Sequence, residues 1–400
     1  MSLKRHLPDW LESYLKFTEN SEPPTLFRTW TAISVIAGAL KRKCKLPWGM
    51  ITFYPNMYVV LVAPPGKARK GTAMGPGLEF LNDLGIRLAA EATTREALIK
   101  WLSGSNDTIV HPDGRTEFHA SLTIYSEELT VFLGYQNRQL INDLTDWYDC
   151  RSRWTYRTKN MGTDDIIGVW VNLLGATTPD MIQSSMPIET IGGGLASRMI
   201  FVFERKKEKI VPVTFLTEEE IKLRELLQKD LEQIHILQGD FKITKSFLDT
   251  WIEWYTNQGD KPPFQDDKFS GYIERRPTHV LKLSMILNAS RTNEMLLDTI
   301  DFQRALDVMA ATEIKMPLTF GGVGKSELAD VTYKVMAEIA LQKECTLAHL
   351  VGRFYRDVSK FELTKILESL DTMKYFFYIF KNNQQLIVFN KEGNEASKFE

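Results

Sequence analysis

The chain has 400 residues, 44% of them hydrophobic and 25% charged, with a formal charge of −2. That composition is ordinary for a globular protein and long enough for two or three domains, while the near-zero charge excludes general coating of polyanions, so any nucleic-acid site must be local. Three widely spaced cysteines, Cys44, Cys150 and Cys345, exclude a disulfide framework and read as reduced intracellular thiols. No run approaches the ~18 consecutive apolar residues of a membrane helix. The first residues show no apolar signal region. The expectation is a cytoplasmic protein without a membrane partner.

Residues 8–43 read as two helices. Trp10, Leu11, Tyr14, Leu15 and Phe17 recur at helical spacing, Pro23-Pro24 breaks the run, and Leu26 to Leu40 resumes it. Met57 to Val62 is continuously apolar, as in a strand covered on both faces. Thr93-Thr94-Arg95-Glu96 opens a helix with Thr as its cap. Thr108 to Leu122 reads as a hairpin turning at Pro112-Asp113-Gly114, and Leu122 to Tyr125 runs apolar into Ser126-Glu127-Glu128. A second hairpin is predicted over 154–170, around Lys159-Asn160-Met161-Gly162. Further strands are expected at Val169–Leu174 and Met199–Phe203, giving a parallel sheet with helices on both faces. Thr217 to Met309 turns helical; Glu218-Glu219-Glu220 suits a helix N-terminus. After the Gly-rich break at 319–324, helical patterns from about Ser326, Leu347 and Lys360 precede a hairpin over 375–389. Three helices and a hairpin are the winged-helix arrangement. The domains expected are 1–45, an N-terminal helical segment; 46–212, an α/β core; 213–318, an α-helical lid; 319–330, a linker; and 331–400, the winged helix.

The chemistry concentrates at four strand ends. After Val59–Val62 comes Ala63-Pro64-Pro65-Gly66-Lys67-Ala68-Arg69-Lys70-Gly71-Thr72-Ala73. A buried strand, a tight turn and a small-residue helix entry are the grammar of a phosphate-binding loop, although a basic strand–helix corner would read the same way. In such loops a Lys reaches the terminal phosphates and a hydroxyl ligates magnesium. Here Arg69 precedes the Lys and Gly71 separates it from Thr72. Glu127 and Glu128 end an apolar strand, where one carboxylate can hold magnesium and the next orient a water. Thr177-Thr178-Pro179 ends another strand, and Arg198 stands directly before Met199 beside the Gly192-Gly193-Gly194 triplet. Gly321-Gly322-Val323-Gly324-Lys325-Ser326 imitates a phosphate loop but follows no apolar strand, so it reads as a hinge. Six scattered histidines point to no metal site.

The segments PNMYVVLVAPPGKARKGTAM, LTIYSEEL, VNLLGATTP and GGGLASRMIFVFE resemble the AAA+ ATPase core of phage and mobile-element replication proteins, which are similar to the minichromosome maintenance (MCM) helicases. The resemblance implies an AAA+ P-loop NTPase binding ATP and Mg2+. It makes Pro65, Gly66, Arg69, Lys70, Gly71, Thr72 and Ala73 the phosphate loop, with Lys70 on phosphate and Thr72 and Glu127 on magnesium. Glu128 becomes the catalytic acid, Thr178 takes the sensor 1 place and Arg198 that of the arginine finger offered to the next subunit. Arg276, opening a helix over His279–Leu287, takes the sensor 2 place, with Arg275 its rival. The 154–168 hairpin would line a pore and meet DNA phosphates through Arg157 and Lys159, each a salt-sensitive contact. The function implied is an ATP-driven DNA helicase or translocase in phage or mobile-element replication, working as a homo-oligomeric ring, most simply a hexamer. Single-stranded DNA would lie in the pore; the winged helix would bind duplex or pack on the ring. A primase or polymerase would be a separate chain. Two other readings stay open: an ATP-switched initiator or helicase loader, and a DNA-binding scaffold with a decayed phosphate loop.

Overall fold

A computed structural model describes residues 4–89, 93–110, 114–134, 137–158, 162–185, 193–257, 262–264, 266–320, 329–381 and 384–390. The protein is a mixed α/β chain that divides into two compact units, 1–321 and 322–400.

The first unit is built on a five-stranded sheet. Its strands are β3 (Tyr58–Val62), β4 (Asn106–Val110), β5 (Thr116–Ser126), β8 (Val169–Thr177) and β9 (Met199–Phe203), in the order β4-β5-β8-β3-β9. The small β1 (Cys44–Trp48) and β2 (Ile51–Phe53) pair antiparallel beside it. Four of the five strands run parallel; only β4 is antiparallel, because it is the hairpin partner of β5. The sheet is therefore mixed rather than wholly parallel. Strand β8 runs three residues beyond Leu174, since Gly175, Ala176 and Thr177 keep pairing with β3.

The helices α1 (Trp10–Phe17) and α2 (Thr25–Leu40) fall on either side of Pro23-Pro24 as the periodicity requires. Next come α3 (Lys70–Asp83), α4 (Arg95–Ser103), α5 (Leu129–Leu133) and α6 (Arg138–Tyr148), with Thr94 capping α4 through Ala97 N–H. Register fixes which helix covers which face. Tyr58 sits beside Leu173 and so shares its face, opposite to that of Asn172. Asn172 Nδ2 donates to Ser34 O of α2 at 3.1 Å, while Tyr58 Oη donates to Leu144 O of α6 at 2.9 Å. Thus α2 and α6 clothe opposite faces.

The second hairpin consists of β6 (Arg153–Thr158) and β7 (Gly162–Ile167), closed onto β5 at Gly168. A Cβ at Gly168 would stand 2.7 Å from Phe118 O, and its φ of +60° suits glycine. Short α7 (Pro179–Ser185) follows β8. Four longer helices complete the unit: α8 (Glu218–His235), α9 (Lys245–Asn257), α10 (Ser270–Arg291) and α11 (Thr299–Glu313). Thr217 and Glu220 form a reciprocal cap at the start of α8, where the acidic run was expected. The sequence places the start of α10 at His279, but the helix begins nine residues earlier and runs through Pro277. From His279 to Ser290 it is buried on all sides, as a central helix must be.

The second unit holds α12 (Ala329–Gln342), α13 (Leu347–Phe354), α14 (Lys360–Thr372) and a three-stranded antiparallel sheet of Glu344–Cys345 (β10), Phe376–Lys381 (β11) and Gln384–Phe389 (β12). Val335, Ile339, Leu350, Leu363, Ile366 and Phe376 form its own core. Among the described residues no helix is long and apolar enough to cross a membrane. The hinge at 321–326 lies outside the described residues, as do Lys159 and residues 382–383 within the 375–389 hairpin.

Candidate nucleotide site at the carboxyl edge of the sheet

Residues Pro64–Arg69 turn from the carboxyl end of β3 into α3, and Lys70 is the first helical residue. Gly66 takes φ +66° and Arg69 takes φ +56°. Arg69 thus occupies, in the left-handed conformation, the place where the usual pattern has Gly before the Lys. That strain, on the order of 1 kcal/mol, is held from outside. Arg69 Nε donates to Glu22 Oε2 at 2.7 Å, and Lys207 donates to the other oxygen of Glu22. The bonds from Lys207 and then Arg69 hold the Glu22 carboxyl down at about 2. The Lys207 N–H also donates to Lys67 O at 2.8 Å, so two segments remote in sequence brace the turn.

Lys70 is half-buried, and its Nζ donates to Ala63 O at 3.0 Å. Burial lowers its pKa, and the charge of Glu128 opposes the shift. Glu127 and Glu128 follow β5 and are exposed. A Cβ on Gly71 would lie 2.7 Å from Glu127 Oε2. The carboxylate therefore occupies space that any other residue at 71 would fill. The long Glu127 side chain thus reaches the helix entry beside a residue that has no side chain of its own. Thr72 is exposed beside it, and Ala73 is buried. Tyr125 Oη donates to Met74 O, tying the acidic strand to α3. Gly77 permits α3 to approach α2, since a Cβ there would lie 2.5 Å from Thr31 Cγ2.

Thr178 directly follows β8, half-buried, and its Oγ1 caps α7 by accepting from Met181 N–H at 3.4 Å. Its neighbour Thr177 is buried in the strand, its Oγ1 without a hydrogen-bond partner. Because β8 lies between β3 and β5, the 64–69 turn, Thr178 and the Glu127–Glu128 pair stand in one row at adjacent carboxyl ends, where open α/β sheets hold ligands. Among the described residues there is no group of three or more His, Cys, Asp or Glu that could cage a metal. The donors at this edge, one hydroxyl and one carboxylate beside the 64–69 turn, are too few to cage a divalent cation by themselves.

Arg198 and Arg276, the arginines that the resemblance assigns to ATP, make their contacts away from this row in their own chain. Arg198 ends a 3-10 turn at the amino end of β9, the opposite edge of the sheet. Its Nη1 donates to Gly194 O at 3.0 Å and its Nη2 to Asp149 Oδ2 at 2.7 Å, leaving the side chain 10% exposed. Five residues of β3, at about 3.3 Å each, separate that edge from the loop of the same chain. Arg276 lies inside α10, not at its start, and is committed to Glu313 of α11 through Nε at 2.6 Å and Nη2 at 2.9 Å. Its rival Arg275 instead reaches Asp149 Oδ1 at 3.5 Å, so Arg275 and Arg198 share one carboxylate. In the 153–167 hairpin Arg157 is exposed opposite Thr163, while Arg153 pairs with Asp165 and Lys100 with Asp164.

Asp149, Lys282 and the Gly71–Glu127 contact escape a motif reading. For Lys282 a signal exists, a lone Lys inside the apolar run His279–Leu287; for Asp149 there is none.

Compared with known proteins, the chain matches no family model and shows similarity to no curated protein.

Proposed function

We propose that the chain is an AAA+-type ATPase that drives a DNA helicase or translocase in phage or mobile-element replication, assembled as a ring with ATP between subunits. One observation carries the reading. A loop that leads into a helix at Lys70, a threonine tip and a pair of exposed carboxylates meet at the carboxyl ends of three adjacent strands. Phosphoryl transfer from a nucleotide requires those parts and little else.

In this reading the N–H groups at the start of α3, with Lys70, bind and orient the β- and γ-phosphates. Thr72 and Glu127 would hold magnesium; its chemistry, when bound, is to offset the charge of the phosphate oxygens. Glu128, exposed and without a side-chain partner among the described residues, orients water and accepts its proton. Thr178 positions that water or the γ-phosphate. Arg198 faces away from this loop, so it can serve only a second copy's nucleotide, which supports an interfacial site. Arg157, with Lys159, would contact DNA phosphates from the hairpin, and the C-terminal unit would be a winged helix.

The test is ATP hydrolysis with and without single-stranded DNA, wild type beside Glu128→Gln, with mass from light scattering. DNA-stimulated turnover in a nucleotide-dependent oligomer is expected, and Glu128→Gln should lose about a hundredfold or more while still binding ATP. Undiminished hydrolysis in that variant removes Glu128 from its role. Strand displacement on a forked substrate then distinguishes a helicase from an initiator or loader.

A further inference from the structure

The amino edge of the sheet carries a second concentration of charge. Arg198 and Arg275 grip the two oxygens of Asp149, at 2.7 and 3.5 Å. Beneath them Lys282 is buried without a carboxylate partner. Its Nζ donates to Asn56 Oδ1 at 2.6 Å, to Asn56 O at 3.3 Å and to Tyr148 O at 3.5 Å, and lies 3.9 Å from the centre of the Tyr148 ring, so among the described residues its neighbours are dipoles and a ring face with no anion in hydrogen-bond contact. Three cations thus face one acid, and Asp149 is the only carboxylate within ion-pair reach of either guanidinium among the described residues. Among the described residues Arg198 Nε is buried without a hydrogen-bond partner. The cluster therefore carries more positive than negative charge, and a cluster of that kind is stabilised by a further anion. The acid is the exposed member: the Asp149 side chain is 39% accessible against 10% for Arg198. Beside it opens a cavity of about 250 Å3 lined by Thr52, Tyr54, Tyr148, Asp149, Arg275 and Lys282. That is below the roughly 300–1,000 Å3 of sites that enclose a whole small molecule, and it suits a phosphate group whose remaining atoms are held elsewhere. Guanidinium pairs match phosphate oxygens as well as they match a carboxylate.

We propose that Asp149 is an internal stand-in for phosphate. In the isolated chain it holds Arg198 and Arg275 together, and it is displaced when a nucleotide phosphate on a second copy of this chain enters between them. The two arginines and Lys282 form one anion site, with Asp149 as the competitor that keeps it closed until assembly. The nature of the incoming phosphate rests on the ATPase reading above; the anion site and its competitor do not.

The test uses the full chain carrying Lys70→Ala, so that phosphate at the loop does not intrude. Thermal melting is followed against inorganic phosphate at constant ionic strength, with and without Asp149→Asn. The apparent phosphate affinity is expected to rise about tenfold when Asp149 is neutralised, one charge-assisted contact having been freed, and to return to the starting value when Arg275→Gln is added. An equal phosphate response with and without Asp149→Asn, or its persistence in the Arg275→Gln combination, overturns the proposal. A second measurement restores Lys70 and follows assembly by light scattering with a non-hydrolysable ATP analogue. Asp149→Asn should assemble at about threefold to tenfold lower protein concentration. If the gain appears instead with single-stranded DNA and no nucleotide, the phosphate belongs to nucleic acid and the second-copy assignment falls. Neither measurement requires turnover, so a protein that binds phosphate as expected yet hydrolyses no ATP removes only the motor reading.

Discussion

The two edges of the central sheet hold their charges in opposite ways. At the carboxyl edge Glu127, Glu128 and Thr72 are exposed, and Lys70 has only a backbone carbonyl for company. At the amino edge the described guanidiniums are engaged: Arg198 and Arg275 share Asp149, and nearby Arg276 is locked on Glu313, while His279 bridges Tyr148 Oη and Ser197 O. An edge with free groups is open to a ligand. An edge with satisfied groups is either structural or waiting for a competitor to open it, and substitutions tell these apart.

The largest expected effect separates two neighbouring arginines. Arg276 and Glu313 are 13% and 5% exposed, so the pair is buried, and Glu313 also accepts from Tyr272 Oη. Replacing Arg276 by Gln leaves that carboxylate without its cation, which in buried pairs costs about 3–5 kcal/mol. Arg275, 31% exposed, should tolerate the same change with little loss. Urea unfolding of Arg276→Gln and Arg275→Gln measures both. Equal, small losses would free Arg276 for the lid role that the resemblance gives it.

A smaller effect comes from pH. Burial pushes the His279 pKa down to about 3 from the usual 6.5, and that of His119 to about 4. Folding thus favours neutral imidazole. Between about 3 and 6.5 the unfolded chain binds the extra proton, so the contribution is full above 6.5 and is lost as pH falls. From pH 6.5 to pH 5, one and a half pKa units, His279 alone should cost about 2 kcal/mol. Unfolding free energies at pH 7 and pH 5 for wild type and His279→Gln test this. The variant should show the smaller acid loss; an identical loss would place the proton elsewhere.

How much of this was legible follows the same division. Strands such as Met199–Phe203, the cap at Thr94 and the acidic helix start at Glu218-Glu219-Glu220 declare themselves because their signals lie within a few residues. The carboxyl-edge row is legible for a related reason. Each group sits at the end of an apolar run, and parallel strands bring those ends together. The amino edge is not, because Asp149, Arg198 and Arg275 are joined only by the fold. The start of α10 was misplaced for a local reason. Pro277 looks like a stop, yet the turns on both sides of it are anchored, by Tyr272 and Arg276 on Glu313 and by His279 on Ser197.

The finest probe lies back at the carboxyl edge. If Gly71 and Glu127 are one adjustment, neither can change alone. In Gly71→Ala the new Cβ stands 2.7 Å from Glu127 Oε2, so the carboxylate must swing away from the entry to α3. Magnesium-dependent nucleotide binding should weaken about tenfold, the equivalent of one displaced charged contact of roughly 1.4 kcal/mol. Shortening the acid as well removes the collision, so Gly71→Ala with Glu127→Asp should recover most of that loss, although Glu127→Asp alone weakens binding by leaving the gap unfilled. The measurement is titration of a non-hydrolysable ATP analogue with and without Mg2+ on the three variants. Additive losses would mean that Gly71 serves only the backbone of the helix entry. Recovery in the double variant would mean that this irregular loop is a working variant of its motif, matched to a longer acid, and not a decayed one.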